Sequence, residues 1–547
     1  MNRGSILPLK PIENAVTVTN LASFETGTFP NKHGIIGHTF GSDENSYSEP
    51  ISGFAKLFEE ETIWETAGKS GLQVLRIGSL IVHGNKAQEQ QQNVDCVAQG
   101  EALDHARKFS LIPDSEVKST EDTDFEFTRA LLNTATDPYS EYLSINNNYK
   151  LYTYQIDTLR DNLESYHSLL LDDNENLHDG YLSRLNEGDW QEIIIGQSNA
   201  FNIAVRLKLL KWDRQTQEID LFVRSPFINR GYPRDFVENI ERNFGACKGW
   251  PSLSNYFAGE IDEQTLLEEI KLEVDYVKDI LLYAVKHANY DLILMDYPLL
   301  DRYGHIFTLT NLLQKGYSVE NRHKYRQHIL DAYRRLDNDL EEISRLARKK
   351  NYDIIIASGH GFFPIHTSIN INRLLEVQGF SVLLSQNEDW EIKAFPGKVS
   401  AHVYLNKKIA GTGAQDSLRN RAKHLFENLR DPKNQEIAVD KVYTNEDLGS
   451  IGLNHRNSGD LWVLLKPGYV FQPQVISERP IFDSPLFLGD HGYSSRYPES
   501  IGVIIYENLP KETKTNTLEV VDIVPTVAHL LHMQLVAKVD GRNILEK

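Results

Sequence analysis

Cysteine and long apolar runs are scarce in this chain, and its 57 basic residues are outnumbered by 77 acidic ones. Only Cys96 and Cys247 occur among 547 residues. They stand in no metal-type spacing and predict no disulfide framework. No apolar run approaches the roughly 18 residues that a membrane-crossing helix requires, so no membrane segment is expected. No leader peptide is legible, because Met1-Asn2-Arg3-Gly4-Ser5 leads straight into Ile6-Leu7-Pro8. As it stands the chain is expected in the cytoplasm, with any signal or anchor on sequence upstream of Met1. A net charge of −20 disfavours unspecific nucleic-acid or anionic-membrane binding. Repeats and low-complexity tracts are absent.

What is present is an ordinary globular composition, 40% hydrophobic and 24% charged, in a chain too long for one small core. Short apolar runs alternate with long helical periods. Residues 263–287 repeat apolar positions at Leu266, Leu267, Ile270, Val274, Val277, Ile280 and Leu281, predicting a long amphipathic helix. It feeds a strand over 291–295. A second long helix over 318–350 feeds a strand over 353–357, and a buried-type strand over 501–506 precedes a closing helix over 517–531. The pattern predicts an α/β fold with a doubly wound, mainly parallel sheet and helices on both faces. Periodicity weakens between 98 and 262, which reads as an inserted α+β region. The expected organisation is therefore a core built from 1–97 and 263–547, the insertion 98–262 packed over the strand ends as a cap, and a smaller insertion over about 394–463.

Chemistry-bearing residues gather where apolar runs end. Asp301-Arg302-Tyr303-Gly304-His305 follows Leu292-Ile293-Leu294-Met295, and the carboxylate and imidazole are expected in a loop after that strand. His360-Gly361 follows Ile354-Ile355-Ile356-Ala357-Ser358, and His491-Gly492 follows Leu486-Phe487-Leu488-Gly489. One Asp-x-x-x-His alone is usually ordinary loop polarity. Three such ends in one chain suit a zinc-type site at a sheet's carboxyl edge. His366 reads as a packing residue. Asp490 is set aside as a ligand because adjacent residues on an extended segment point to opposite sides.

The N-terminal segment Thr17-Val18-Thr19-Asn20, then Thr26-Gly27 and Pro30-Asn31-Lys32-His33-Gly34-Ile35, resembles the type I phosphodiesterase/nucleotide pyrophosphatase branch of the alkaline phosphatase superfamily. Asp301…His305, His360-Gly361 and His491-Gly492 match that family's later motifs in order. Val521-Asp522-Ile523-Val524-Pro525-Thr526 and Asp540-Gly541-Arg542 resemble its closing segment. The resemblance implies an alkaline-phosphatase-like core with two metal ions, usually zinc, about 4 Å apart. It implies a threonine nucleophile, here Thr17, and a covalent phospho-threonine intermediate. Asn20 and His38 take the substrate-contacting positions, although the family usually has asparagine where His38 stands. A sulfatase reading fails because neither cysteine lies in a Cys-x-Pro-x-Arg context.

Carried over residue by residue, the first metal site is complete in Asp301, His305 and His491. The second keeps only Thr17 and His360. Glycine stands at 359, where the family has an aspartate, and the family's first core strand, with its own aspartate, is missing ahead of Ser5. One firm zinc and a weak or lost second site are therefore expected. The function implied is a metal-dependent phosphoesterase acting on phosphodiester or nucleotide pyrophosphate bonds, with a small phosphate ester or nucleotide as substrate. The alternative is an inactive pseudoenzyme that kept the fold as a binding protein.

Overall fold

The structure is a computed structural model. It describes residues 5–42, 50–78, 91–98, 105–109, 139–146, 149–156, 168–174, 181–198, 201–213, 218–224, 227–382, 390–408, 412–473, 479–506, 517–535 and 538–546. Two compact units result, one formed by 1–93 with 280–547 and the other by 94–279.

The chain is an α/β protein. In the first unit, Ser5–Lys10 sits inside a four-stranded sheet ordered Ile355–Ser358, Gly502–Tyr506, Ser5–Lys10, Leu518–Glu519. Gly502–Tyr506 runs antiparallel to both neighbours, and only the short Leu518–Glu519 is parallel to Ser5–Lys10. Val74–Ile77 and Leu292–Met295 pair in parallel outside that sheet, as neighbours at one end of a larger one. Among the described residues these pairings do not make up the expected mainly parallel, doubly wound sheet. Apolar runs such as Ile501-Gly502-Val503-Ile504-Ile505 read alike whichever way their neighbours run, so direction was not encoded locally.

Residues 392–465 form an antiparallel sheet ordered Ile392–Gly397, Ser400–Leu405, Leu461–Leu465, Val439–Thr444. Three of its strands, Ile392–Gly397, Ser400–Leu405 and Leu461–Leu465, are buried on both faces. One face receives Leu418, Ala422 and Phe426 of the helix Thr412–Glu427. The other packs Val399, Tyr443, Trp462 and Leu464 against Phe363 and Tyr493. Burying these side chains contributes about 1.5–3 kcal/mol each, which fixes the hairpin 392–405 as a rigid support.

The long helices lie close to expectation, at Glu263–His287 and Val319–Lys349. The predicted closing helix is shorter, Ile523–Leu530, because Leu518–Glu519 pairs as a strand first. The second unit is largely antiparallel sheet, including Tyr139–Asn146, Tyr149–Ile156 and Ser168–Asp172 in one sheet and Phe201–Asp213 with Glu218–Val223 in another. Its core gathers Leu171, Ile193, Leu207 and Leu221. Cys247 is disulfide-bonded, and Cys96 is the only other cysteine of the chain. The sequence predicts no disulfide framework, and the bond at Cys247 departs from that expectation.

Candidate active site

Asp301 and His305 do not lie in a loop. They belong to the helix Leu299–Phe307. Residues four apart on a helix share a face, so the Asp-x-x-x-His spacing delivers carboxylate and imidazole to one side. His491 arrives from the segment after Gly489–Asp490. Its Nε2 lies 3.5 Å from Asp301 Oδ1, and His305 Nε2 lies 3.6 Å from the same oxygen. The three ligand atoms all fall within 4.8 Å of one another.

The outer hydrogen bonds decide which ring nitrogens face inward. His305 Nδ1–H donates to the Gly489 carbonyl at 2.8 Å, and His491 Nδ1–H donates to the Ala15 carbonyl at 3.0 Å. Burial holds both imidazoles below the usual histidine range, and with Nδ1 turned to a carbonyl each directs its Nε2 to the cluster. Burial alone would raise the Asp301 carboxyl, but His305, Arg302 and Lys398 together outweigh it and hold it at about 2. Asp301 Oδ1 is buried and accepts no hydrogen bond. Two imidazole nitrogens and one carboxylate oxygen thus converge, with Lys398 Nζ beside the two nitrogens. Tetrahedral ligands bonded at about 2.0–2.1 Å lie about 3.3–3.5 Å apart, close to the two separations from Asp301 Oδ1. The donor set fits a divalent metal ion, and the Nδ1 bonds to carbonyls are the outer support such ligands need.

Thr17 is the first residue of the helix Thr17–Thr26, which ends at Gly27 with φ 67°. The helix start lies against His491 through the Ala15 carbonyl, while Asn20, one turn on, lies against Gly359. Backbone N–H groups at a helix start favour an anionic oxygen. His360 stacks face to face on His491, with ring centroids 3.6 Å apart and planes at 2°. Its Nδ1 donates to the Gly361 carbonyl at 3.2 Å, and burial lowers its pKa.

A Cβ on Gly359 would overlap Asn20 Nδ2 and come within 2.7 Å of Phe24 Cε2. The side chain of Asn20 therefore occupies the space an aspartate at 359 would need. Asn20 is buried, and its Oδ1 has no hydrogen-bond partner. His38 also keeps a buried, unpartnered Nε2, and its pKa is pushed well below the usual value by burial and then by Lys398.

Sequence reasoning missed Lys398 and Phe362. Lys398 Nζ lies 3.3 Å from His305 Nε2 and 3.5 Å from His491 Nε2. Phe362 sets its ring 5.0–5.6 Å from those of His305, His360 and His491. No motif marks either residue. The nearest signal is their place, Phe362 two residues past His360 and Lys398 in a strand-to-strand turn. Asp490 Oδ1 accepts from the His491 N–H at 2.9 Å and faces Lys398 Nζ at 3.5 Å. His366 packs on Tyr469 and bonds Thr367 Oγ1.

The sequence matches the type I phosphodiesterase/nucleotide pyrophosphatase family over residues 1–185 and 211–494. The chain belongs to that family. It is thereby an enzyme of the phosphodiesterase/pyrophosphatase hydrolase type. Among curated proteins none matches the sequence. Solved structures similar to it include human ectonucleotide pyrophosphatase/phosphodiesterase 5, at 10% identity and TM-score 0.44, covering 99% of this chain and 91% of that one. Phosphonoacetate hydrolase from Sinorhizobium meliloti shows 11% identity and TM-score 0.47, covering 97% and 88%. Family membership rests on the sequence match, not on these distant likenesses. Among the described residues no helix is long and apolar enough to cross a membrane.

Proposed function

We propose that this family member is a zinc-dependent phosphoesterase that cleaves phosphodiester or nucleotide pyrophosphate bonds through a phospho-threonine at Thr17. The observation that carries the reading is the convergence of Asp301 Oδ1, His305 Nε2 and His491 Nε2 on one point, with both histidine tautomers fixed from behind. A metal held there supplies positive charge to a phosphoryl oxygen and lowers the pKa of a hydroxyl it touches. Thr17 contributes the attacking oxygen from a helix start whose N–H groups face developing negative charge. In this reading His38 Nε2 and the Asn20 amide, whose Oδ1 is likewise without a hydrogen-bond partner, contact the substrate phosphate. His360, stacked on His491, braces that ring.

A second reading has its own observation. Asn20 fills the position of the absent aspartate beside Gly359, so a second metal lacks both ligands and room. This favours a single-metal enzyme of low turnover or an inactive binding protein of the same fold. Hydrolysis of a bis-aryl phosphate and of a dinucleotide by the zinc-loaded chain, compared with Thr17→Ala, decides between them. Turnover that disappears in Thr17→Ala supports the enzyme. Equal rates in both chains remove the phospho-threonine route. The disulfide at Cys247 fits an oxidising compartment better than the cytoplasm.

A further inference from the structure

Lys398 sits in a costly backbone position. Gly397 pairs with Ser400, so Lys398 and Val399 form a two-residue turn between Ile392–Gly397 and Ser400–Leu405. The φ of Lys398 is 68°, in the left-handed region where such turns usually place glycine, asparagine or aspartate. Strained non-glycine residues persist where the surroundings over-determine them, and they cluster at functional sites. Here the surroundings are definite. The Lys398 carbonyl accepts from the Phe471 N–H at 2.7 Å, and the flanking strands are fully buried. The turn aims the side chain inward, with Nζ 3.3 Å from His305 Nε2, 3.5 Å from His491 Nε2 and 3.5 Å from Asp490 Oδ1.

Both imidazoles already spend their Nδ1 protons on carbonyls, so each offers a single lone pair at Nε2. An ammonium donating to those lone pairs and a metal bonded to them draw on the same two orbitals. Two positive centres that close also repel strongly in a buried site.

We propose that Lys398 holds the place of the metal ion: its ammonium and a divalent cation compete for His305 and His491, and the cluster bears one or the other. The lysine is then the residue that sets how readily the site loads. An apo cluster is kept assembled by an internal cation, and loading requires the Lys398 side chain to swing out of the cluster.

This inference rests on reading the cluster as a metal site, but its test reads metal affinity and not turnover. The full chain, stripped with a chelator, is titrated with zinc against a fluorescent zinc indicator. Lys398→Gly is the main variant, because glycine suits the positive φ and keeps the turn. It should bind zinc at least about tenfold more tightly than the unaltered chain, and Lys398→Arg, which keeps the charge, should show no such gain. The inference is overturned if Lys398→Gly binds zinc equally or more weakly, if neither chain binds zinc, or if the gain persists when His305→Ala is added. Tighter zinc without any hydrolysis leaves the inference standing and sinks the proposed activity. Hydrolysis by the unaltered chain with no gain in Lys398→Gly does the reverse.

Discussion

The two halves of the site are built to different standards. Around Asp301, His305 and His491 every inward atom is matched by an outward support, and the ligand spacing suits a metal ion. Around Thr17 and His360, glycine stands at 359 and Asn20 fills the space that a carboxylate there would need. Good packing and good ligation are therefore separable. A fold preserves the position of a side chain through its neighbours' volume, whereas a dication needs specific charge, and glycine at 359 keeps the first while removing the second.

The largest expected effect breaks the weaker half at its reacting atom. Thr17→Ala should lower phosphodiester hydrolysis by about three orders of magnitude or more, as loss of a nucleophile does elsewhere, while zinc affinity stays within about twofold. Steady-state rates beside a zinc titration check both. Breaking the stronger half gives the reverse pattern. His305→Ala removes one of three ligands and should weaken zinc by more than about a hundredfold, since even outer partners of ligands are worth about 10–100-fold. Retained zinc in His305→Ala would mean that the ion sits elsewhere.

Much of this contrast was legible in the sequence, and particular residues show why. The long helices Glu263–His287 and Val319–Lys349 followed from apolar period, which is local. Asp301 and His305 were placed together for a reason that survives the change from loop to helix, because four residues also make one turn. Strand direction was lost, since Gly502–Tyr506 meets its partners across hundreds of residues. Lys398 was invisible because nothing in Gly397-Lys398-Val399 announces an inward-facing turn. The collision between Asn20 and Gly359 joins two motifs that were read separately, and only three-dimensional packing connects them.

That collision alters what repair should achieve. Gly359→Asp alone should not create a second metal site. The new side chain must push Asn20 and Phe24 aside, an overpacking that costs about 1–3 kcal/mol. Urea unfolding should show that loss, and the zinc stoichiometry should stay at one per chain. Adding Asn20→Gly opens the space, so the double variant should regain most of the stability. A rise towards two zinc ions in the single variant would show that Asn20 yields easily and that charge alone had been missing.

The smallest effect tests whether the Thr17 half is held by a neutral histidine. His33 is fully buried, accepts the Ile35 N–H at Nδ1 over 3.1 Å and contacts Ser23 Oγ through Nε2 at 3.0 Å. Both ring nitrogens are thus used by the neutral form, and burial, with a smaller push from His455, holds its pKa at about 3. The unfolded chain takes up this proton near 6.5, the folded chain only near 3. Stability is therefore undiminished above pH 6.5 and falls as pH drops towards 3, by up to about 1.4 kcal/mol per unit for this one group. His402, held at about 4 by burial, adds a similar slope over a narrower range. Between pH 6.5 and 5 the chain should lose stability in urea, and His33→Gln, whose amide can both donate and accept, should lose about 2 kcal/mol less over that interval. An unchanged slope in His33→Gln would mean that the proton enters elsewhere, and that the helix start bearing Thr17 owes its acid sensitivity to other groups.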